Sequence, residues 1–254
     1  MLLCIDIGNT NTVIAITEKE EILKKYRIVT KERTNDELEL FFTFMLSKQG
    51  LSPSQITDVI ISSVVPPASE NFISFCKAFF KKDPILVNPE MKLGITIAYE
   101  NPKELGTDRI VNAVAAYTKY KKASIIVDFG TAITFDYVSG DGRYLGGAIS
   151  PGIITASSAL FEKAYRLPKI ERFWIPETVL AKNTLDSMNA GIIFGYASLV
   201  DGMVKRIKDE TKEESLVIAT GGLAYLMKDV AKSIDIIDEM LTIYGLIKIY
   251  ELNS

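Results

Sequence analysis

A short pattern occurs twice in this chain, near the start of each half, and it constrains the fold more than any other feature. The first copy is Asp6-Ile7-Gly8-Asn9-Thr10-Asn11-Thr12, followed by the apolar run Val13-Ile14-Ala15-Ile16. The second is Asp128-Phe129-Gly130-Thr131-Ala132-Ile133-Thr134, followed by Phe135-Asp136-Tyr137-Val138. Each Asp closes a strand-like run, Leu2-Leu3-Cys4-Ile5 or Ser124-Ile125-Ile126-Val127, and each Gly leads into a second one. The pattern reads as strand, tight turn, strand, with a carboxylate ending the first strand. Such a turn offers backbone N–H groups, and its Gly lets the chain approach a polyphosphate closely. One copy alone is more often an ordinary hairpin, but matching Asp, Gly and Thr positions in both halves are hard to obtain by chance. Two facing copies would clamp one nucleotide between two related domains, which points to phosphoryl transfer.

The rest of each half follows one plan. Strands are expected at 2–7, 12–17 and 21–29, then a helix from Asn35 to Gln49, announced by the capping box Thr34-Asn35-Asp36-Glu37 and stopped by Gly50. A buried strand from Thr57 to Ser63, a helix over 68–82, short strands at 85–87 and 94–98 and a helix from Thr107 to Lys121 complete the first half. In the second half, strands are expected at 123–128, 132–138 and 143–149, then helices at 152–163 and 188–211. A strand from Ser215 to Ala219, a helix over 223–232, a short strand at 234–237 and a helix from Met240 to Leu252 follow. Three strands and then alternating helices and strands, given twice, imply an α/β fold of two tandem ribonuclease-H-like domains, each a mixed sheet with flanking helices. The repeat places these at 1–122 and 123–254; no Gly-, Pro- or Ser-rich linker marks the boundary.

Composition narrows the chemistry. Histidine is absent, which excludes a His base, a Ser-His-Asp triad and any His-ligated metal. Cys4 and Cys76 stand alone, without zinc-site or disulfide spacing. A net charge of −3 suggests no nucleic-acid surface. The first charged residue, Asp6, comes too soon for a signal-peptide apolar region, and no apolar run reaches the roughly 20 residues that span a bilayer. A cytoplasmic protein with no membrane partner is expected.

Several other segments could carry chemistry. In Asn101-Pro102-Lys103-Glu104-Leu105-Gly106-Thr107-Asp108-Arg109, a carboxylate and a guanidinium open an expected helix, whose N-terminus favours an anion. Asp108 could take a hydroxyl proton while Arg109 holds a negative group; the plain alternative is a helix cap beside a solvated Arg. Ala219-Thr220-Gly221-Gly222-Leu223-Ala224 joins a strand to a helix, and its paired glycines would let adenine and ribose lie against the backbone. The Gly-dense end Gly146-Gly147 through Pro151-Gly152 leaves room for a substrate or a tight contact. Gly191, Gly195 and Gly202 fall near one helix face, as in close helix packing or an interface, while Lys24-Lys25 and Lys121-Lys122 read as solvated charges.

Taken together, these residues resemble the type III pantothenate kinases, members of the acetate and sugar kinase, Hsp70 and actin superfamily with its actin-like ATPase domains. The resemblance runs nearly the whole length: Asp6 to Thr10, Ser62-Ser63-Val64-Val65-Pro66, Tyr99 to Arg109, Asp128 to Thr131, Gly146 to Gly152, Asn183-Thr184 and Ala219 to Ala224. Thr107 departs from the small apolar residue expected between Gly106 and Asp108. The resemblance implies ATP-dependent phosphorylation of pantothenate to 4′-phosphopantothenate, the first step towards coenzyme A. It implies Asp108 as general base, and Tyr99, Gly106, Thr107, Asp108 and Arg109 as the substrate pocket. Thr184 would reach the pantothenate of the neighbouring subunit in a homodimer. The stretch Asp6, Ile7, Gly8, Asn9, Thr10, Asn11, Thr12 and Val13 would bind ATP phosphates, with Thr131 contributing from the second loop. Asp128 would hold a monovalent cation, K⁺ or NH₄⁺, and Asp6 would act on Mg²⁺ directly or through water. Competing readings are another kinase or phosphatase of the superfamily, or a non-catalytic nucleotide-binding regulator; a regulator is expected to lose Asp108 or the loop Asp, and both are intact. An actin-like filament is disfavoured because each half is close to a minimal domain.

Overall fold

The computed structural model describes all 254 residues, which form two compact units. The first comprises Met1–Gly94, Glu100–Thr118 and Thr242–Ser254; the second comprises Ile95–Tyr99 and Lys119–Leu241. The repeat alone divides the chain near Lys122. The tertiary contacts instead carry residues 95–99 into the second unit and residues 242–254 into the first.

In the first unit, β1 (Leu2–Ile7), β2 (Asn11–Glu18), β3 (Glu21–Val29), β4 (Asp58–Ser63) and β5 (Ile85–Leu86) form a mixed sheet in the order β3-β2-β1-β4-β5. The first three strands run antiparallel to one another, whereas β4 lies parallel to β1 and β5 parallel to β4. The central β1 is apolar at nearly every position, as suits a strand covered on both faces. Leu3, Ile5, Ile7, Ile14 and Ile16 bury against Phe42 of α1 (Asn35–Ser47) and Phe72 and Phe75 of α2 (Pro66–Phe79). Phe42 and Phe75 stack with ring centroids 5.0 Å apart, and each such buried ring contributes about 1.5–3 kcal/mol. The capping box is present: the Glu37 N–H donates to Thr34 Oγ1 at 3.1 Å and the Thr34 N–H donates to a Glu37 oxygen at 2.9 Å.

Two further helices, α3 (Thr107–Tyr120) and α7 (Leu241–Asn253), cross so closely that Gly245 has no room for a Cβ against the Val111 carbonyl. The Thr242 hydroxyl also donates to the buried Asn112 side chain at 2.8 Å. The start of α3, which carries Asp108, is therefore anchored by the C-terminal end of the chain.

The second unit repeats the first sheet. With β6 (Thr96–Ile97), β7 (Ser124–Phe129), β8 (Ala132–Val138), β9 (Arg143–Pro151), β10 (Leu216–Thr220) and β11 (Ile236–Ile237), the order is β11-β10-β7-β8-β9-β6. Apart from β6 at the edge, this is the connectivity of the first unit, with the same parallel and antiparallel pairs. Ile125, Val127, Ile133 and Phe135 pack against Ile193, Val200 and Val204 of α5 (Thr184–Thr211). Asn183 caps α5 by accepting from the Asp186 N–H at 2.9 Å, so the helix begins four residues before the expected start. The helix expected over 223–232 is a single turn, α6 (Ala224–Met227). The Asp201 carboxylate accepts the N–H groups of Lys232 and Ser233, fixing the chain in a turn there. No helix is long and apolar enough to cross a membrane.

Candidate active site

In the first unit, the repeated motif forms the turn between β1 and β2. Asp6, one residue before the end of β1, lies opposite Val13 and beside Ser62 of the parallel β4. The Gly8 N–H donates to the Asn11 carbonyl at 3.0 Å, and a Cβ on Gly8 would sit 3.1 Å from that oxygen. Asn9 and Thr10 are exposed, and neither has the positive φ that a tight two-residue hairpin turn needs. A residue outside the motif holds this open turn. Thr30, just after β3, donates its hydroxyl to the Gly8 carbonyl at 2.7 Å, donates its N–H to the Thr10 carbonyl at 2.9 Å, and meets the Thr12 hydroxyl at 2.9 Å.

Asp108 and Arg109 lie in the first turn of α3. The Arg109 N–H donates to Asp108 Oδ1 at 2.8 Å, folding the carboxylate back over Gly106. Arg109 is only 8% exposed, so the solvated-Arg alternative does not hold. A buried guanidinium is costly to desolvate unless it meets a negative group. Thr107, the departure from the expected small apolar residue, uses its hydroxyl. Its Oγ1 lies 3.1 Å from Ser62 Oγ, accepts from the Ser63 N–H at 3.0 Å and reaches the Ser63 carbonyl at 3.0 Å. These bonds tie the start of α3 to the end of β4, so the Thr107 side chain is engaged with the scaffold.

The second copy of the motif lies between β7 and β8 in the second unit. Asp128 is the register partner of Thr220, which brings the Ala219–Ala224 turn beside it. Gly221 has φ +92°, and a Cβ there would collide with Asp128 Oδ1 and the Phe129 N–H. The two segments singled out separately in the sequence therefore share one cradle. Thr131 is braced from outside the motif: its carbonyl accepts from the Gly152 N–H at 3.0 Å and from the Thr155 hydroxyl of α4 (Ile153–Lys163) at 2.7 Å. Tyr196 on α5 donates to the Pro151 carbonyl at 2.9 Å, and Gly152 packs too tightly on Gly130 and Thr131 to accept a side chain. The Gly-dense segment is thus the bed of the second loop.

Tyr99 belongs to the second unit, with its ring centroid 6.1 Å from that of Tyr144, so the expected substrate residues are divided between the two units. Tyr144 donates to the fully buried Asp136 at 2.6 Å, and Thr134 donates to it at 2.8 Å. Thr184 is exposed at the first position of α5. Gly191, Gly195 and Gly202 lie on an open face of that helix, where an added Cβ meets nothing within 4 Å; close helix packing within this chain is not their role. No group of three or more acidic or thiol side chains gathers into a metal cage. The Asp6 carboxylate suits Mg²⁺ that keeps its waters and substrate phosphates as ligands. Gly221 packs directly against Asp128 and Phe129, so the contact fixes where the Asp128 carboxylate, the residue that would hold a monovalent cation, can sit. The thiols of Cys4 and Cys76 are buried, and desolvation pushes both up to about 12, so neither is a nucleophile.

Comparison with known proteins follows the same lines. Residues 2–206 match the family model of type III pantothenate kinases. A protein named type III pantothenate kinase from Syntrophus aciditrophicus is 50% identical over 255 residues, covering 100% of both chains. Among solved structures, a Campylobacter jejuni protein described within the Baf family of transcriptional activators superposes with a TM-score of 0.64 at 22% identity, covering 98% of this chain and 97% of that one. Component A of the (R)-2-hydroxyglutaryl-CoA dehydratase of Acidaminococcus fermentans gives 0.58 at 14% identity, covering 98% and 96%. At such identities the two structures speak for the fold of tandem ribonuclease-H-like domains alone. The full-length match in sequence carries more: the chain belongs to the type III pantothenate kinase family.

Proposed function

We propose that the protein transfers the γ-phosphoryl group of ATP to the primary hydroxyl of pantothenate, giving 4′-phosphopantothenate and ADP at the entry to coenzyme A synthesis. The observation that carries this reading is the Asp108–Arg109 pair at the start of α3, held over Gly106 in a chain with no histidine and with full-length relatives of that name. The Asp108 carboxylate takes the hydroxyl proton as the oxygen attacks phosphorus and the bond to ADP breaks. Arg109 matches the pantothenate carboxylate in charge, with Tyr99, Gly106 and Thr107 completing the acceptor side. The N–H groups of the Asp6–Val13 turn receive phosphate oxygens, Thr131 receives them from the second loop, and the Ala219–Ala224 turn lies on the adenosine side. Mg²⁺ near Asp6 and K⁺ or NH₄⁺ near Asp128 would offset the phosphate charge.

We also read the enzyme as a homodimer whose active site takes Thr184 from the neighbouring subunit. The open glycine face of α5 supports this, as do exposed Leu160, Phe161, Val179 and Leu180 in the same unit. We assign the sequence-derived domains, 1–122 and 123–254, to the acceptor side and the adenosine side respectively, and the activity to the cytoplasm, where ATP is at hand. The test is product identity. Protein given Mg²⁺, K⁺, ATP and pantothenate should form a phosphate ester at the terminal hydroxyl, seen by mass spectrometry and phosphorus NMR. Robust turnover of a sugar or short acid with none of pantothenate would reject the assignment.

A further inference from the structure

Neither Thr30 nor Thr155 belongs to the repeated motif, yet each fastens the backbone of one copy from outside. Thr30 takes two carbonyls of the first turn, Gly8 through its hydroxyl and Thr10 through its N–H. Thr155 takes the Thr131 carbonyl of the second turn with its hydroxyl, alongside the Gly152 N–H. In a trans peptide the carbonyl and the next N–H point in opposite directions. Binding the Gly8 carbonyl therefore aims the Asn9 N–H away from Thr30, while Asn11, whose carbonyl accepts from the Gly8 N–H, faces back across the hairpin. Binding the Thr131 carbonyl aims the Ala132 N–H away from Thr155 in the same way. A turn whose carbonyls faced outward would repel phosphate, whereas one whose N–H groups face outward attracts it. Nothing in the local sequence of the first turn imposes this choice, since its exposed residues Asn9 and Thr10 have no positive φ to lock a primed turn.

We propose that Thr30 and Thr155 are paired positioning residues that hold the two phosphate loops with their N–H groups towards ATP. The inference rests on the assignment of these loops to ATP. Thr30→Val and Thr155→Val keep size and shape but delete the hydroxyl. Each should raise the KM for ATP roughly 5- to 20-fold, the scale of one lost hydrogen bond, with the KM for pantothenate within about twofold. Thr30→Ser and Thr155→Ser should return the KM for ATP to within about twofold of wild type. Amide hydrogen exchange without nucleotide should quicken at residues 8–11 in Thr30→Val and at 130–132 in Thr155→Val, with the midpoint of thermal unfolding nearly unchanged. Unchanged exchange and unchanged KM in both Val variants would overturn the positioning role while leaving the loop assignment intact. Quicker exchange with an unchanged KM for ATP would place the nucleotide elsewhere and overturn both. Thr155 is solvent-exposed, so its variant keeps the test open should Thr30→Val fold poorly.

Discussion

A methyl group on Gly106 would lie 2.5 Å from Oδ1 of Asp108, so a side chain at 106 and the carboxylate at 108 compete for the same space. The carboxylate is also the acceptor of the Arg109 N–H, which leaves it little freedom to retreat. Gly106→Ala should therefore displace Asp108, lowering kcat by roughly 10- to 100-fold, in line with the cost of moving a reacting group by about 1 Å. Stability should fall by about 1 kcal/mol, since Ala is a much poorer residue than Gly at the position just before the first helical turn, still less than the loss of a core contact. Steady-state kinetics beside a thermal melt checks this, and an unchanged kcat would separate Gly106 from the chemistry.

The Gly221–Asp128 contact leads to a second expectation. Asp128→Ala should lose most activity and most of its response to added K⁺, because the carboxylate beside the cradle is the cation's only charged ligand in this account. Gly221→Ala should behave alike, through steric displacement of Asp128 and a strained backbone at φ +92°. A K⁺ titration of activity that superposes on wild type in both variants would put the ion elsewhere.

The buried thiols supply a third. Cys4 and Cys76 move from an ordinary 9.0 up to about 12 through desolvation. The unfolded chain thus ionises first, so the two thiols contribute stability that is full below about pH 9 and lost as pH rises towards about 12. At pH 8 a thiol reagent should label native protein slowly and denatured protein at both cysteines. Rapid stoichiometric labelling of the native state would contradict the burial.

A shared site across a homodimer predicts complementation. Asp108→Asn and Thr184→Val chains, each weak alone, should regain activity when unfolded together and refolded, since one site per mixed dimer would hold both wild-type residues. A fully active monomer at working concentration would end the idea.

Much of this architecture is legible in the sequence, because its signals are local. The Thr34–Glu37 capping box, the apolar runs around Asp6 and Asp128 and the Gly turns all act within a few residues, and the two sheets follow from the doubled motif. What stayed hidden depends on partners distant in sequence. The burial of Arg109, the crossing of Gly245 over Val111 and the grouping of α7 with the first unit are tertiary facts. The turn at Lys232 and Ser233, in place of the longer expected helix, reflects the Asp201 carboxylate, which claims N–H groups 31 and 32 residues away. Thr30 could have been found only from the β2–β3 register, which sets it opposite Thr10.

Asp108 is proposed as the group that takes the acceptor's proton, and the most direct measurement of that role is kcat for Asp108→Asn beside the affinity for ATP. The substitution keeps shape and polarity and removes proton affinity. We expect kcat to fall by roughly 10²–10⁴-fold, with the Kd for ATP within about twofold of wild type. A correctly folded Asp108→Asn enzyme with near-normal kcat would remove Asp108 from the mechanism and contradict the account.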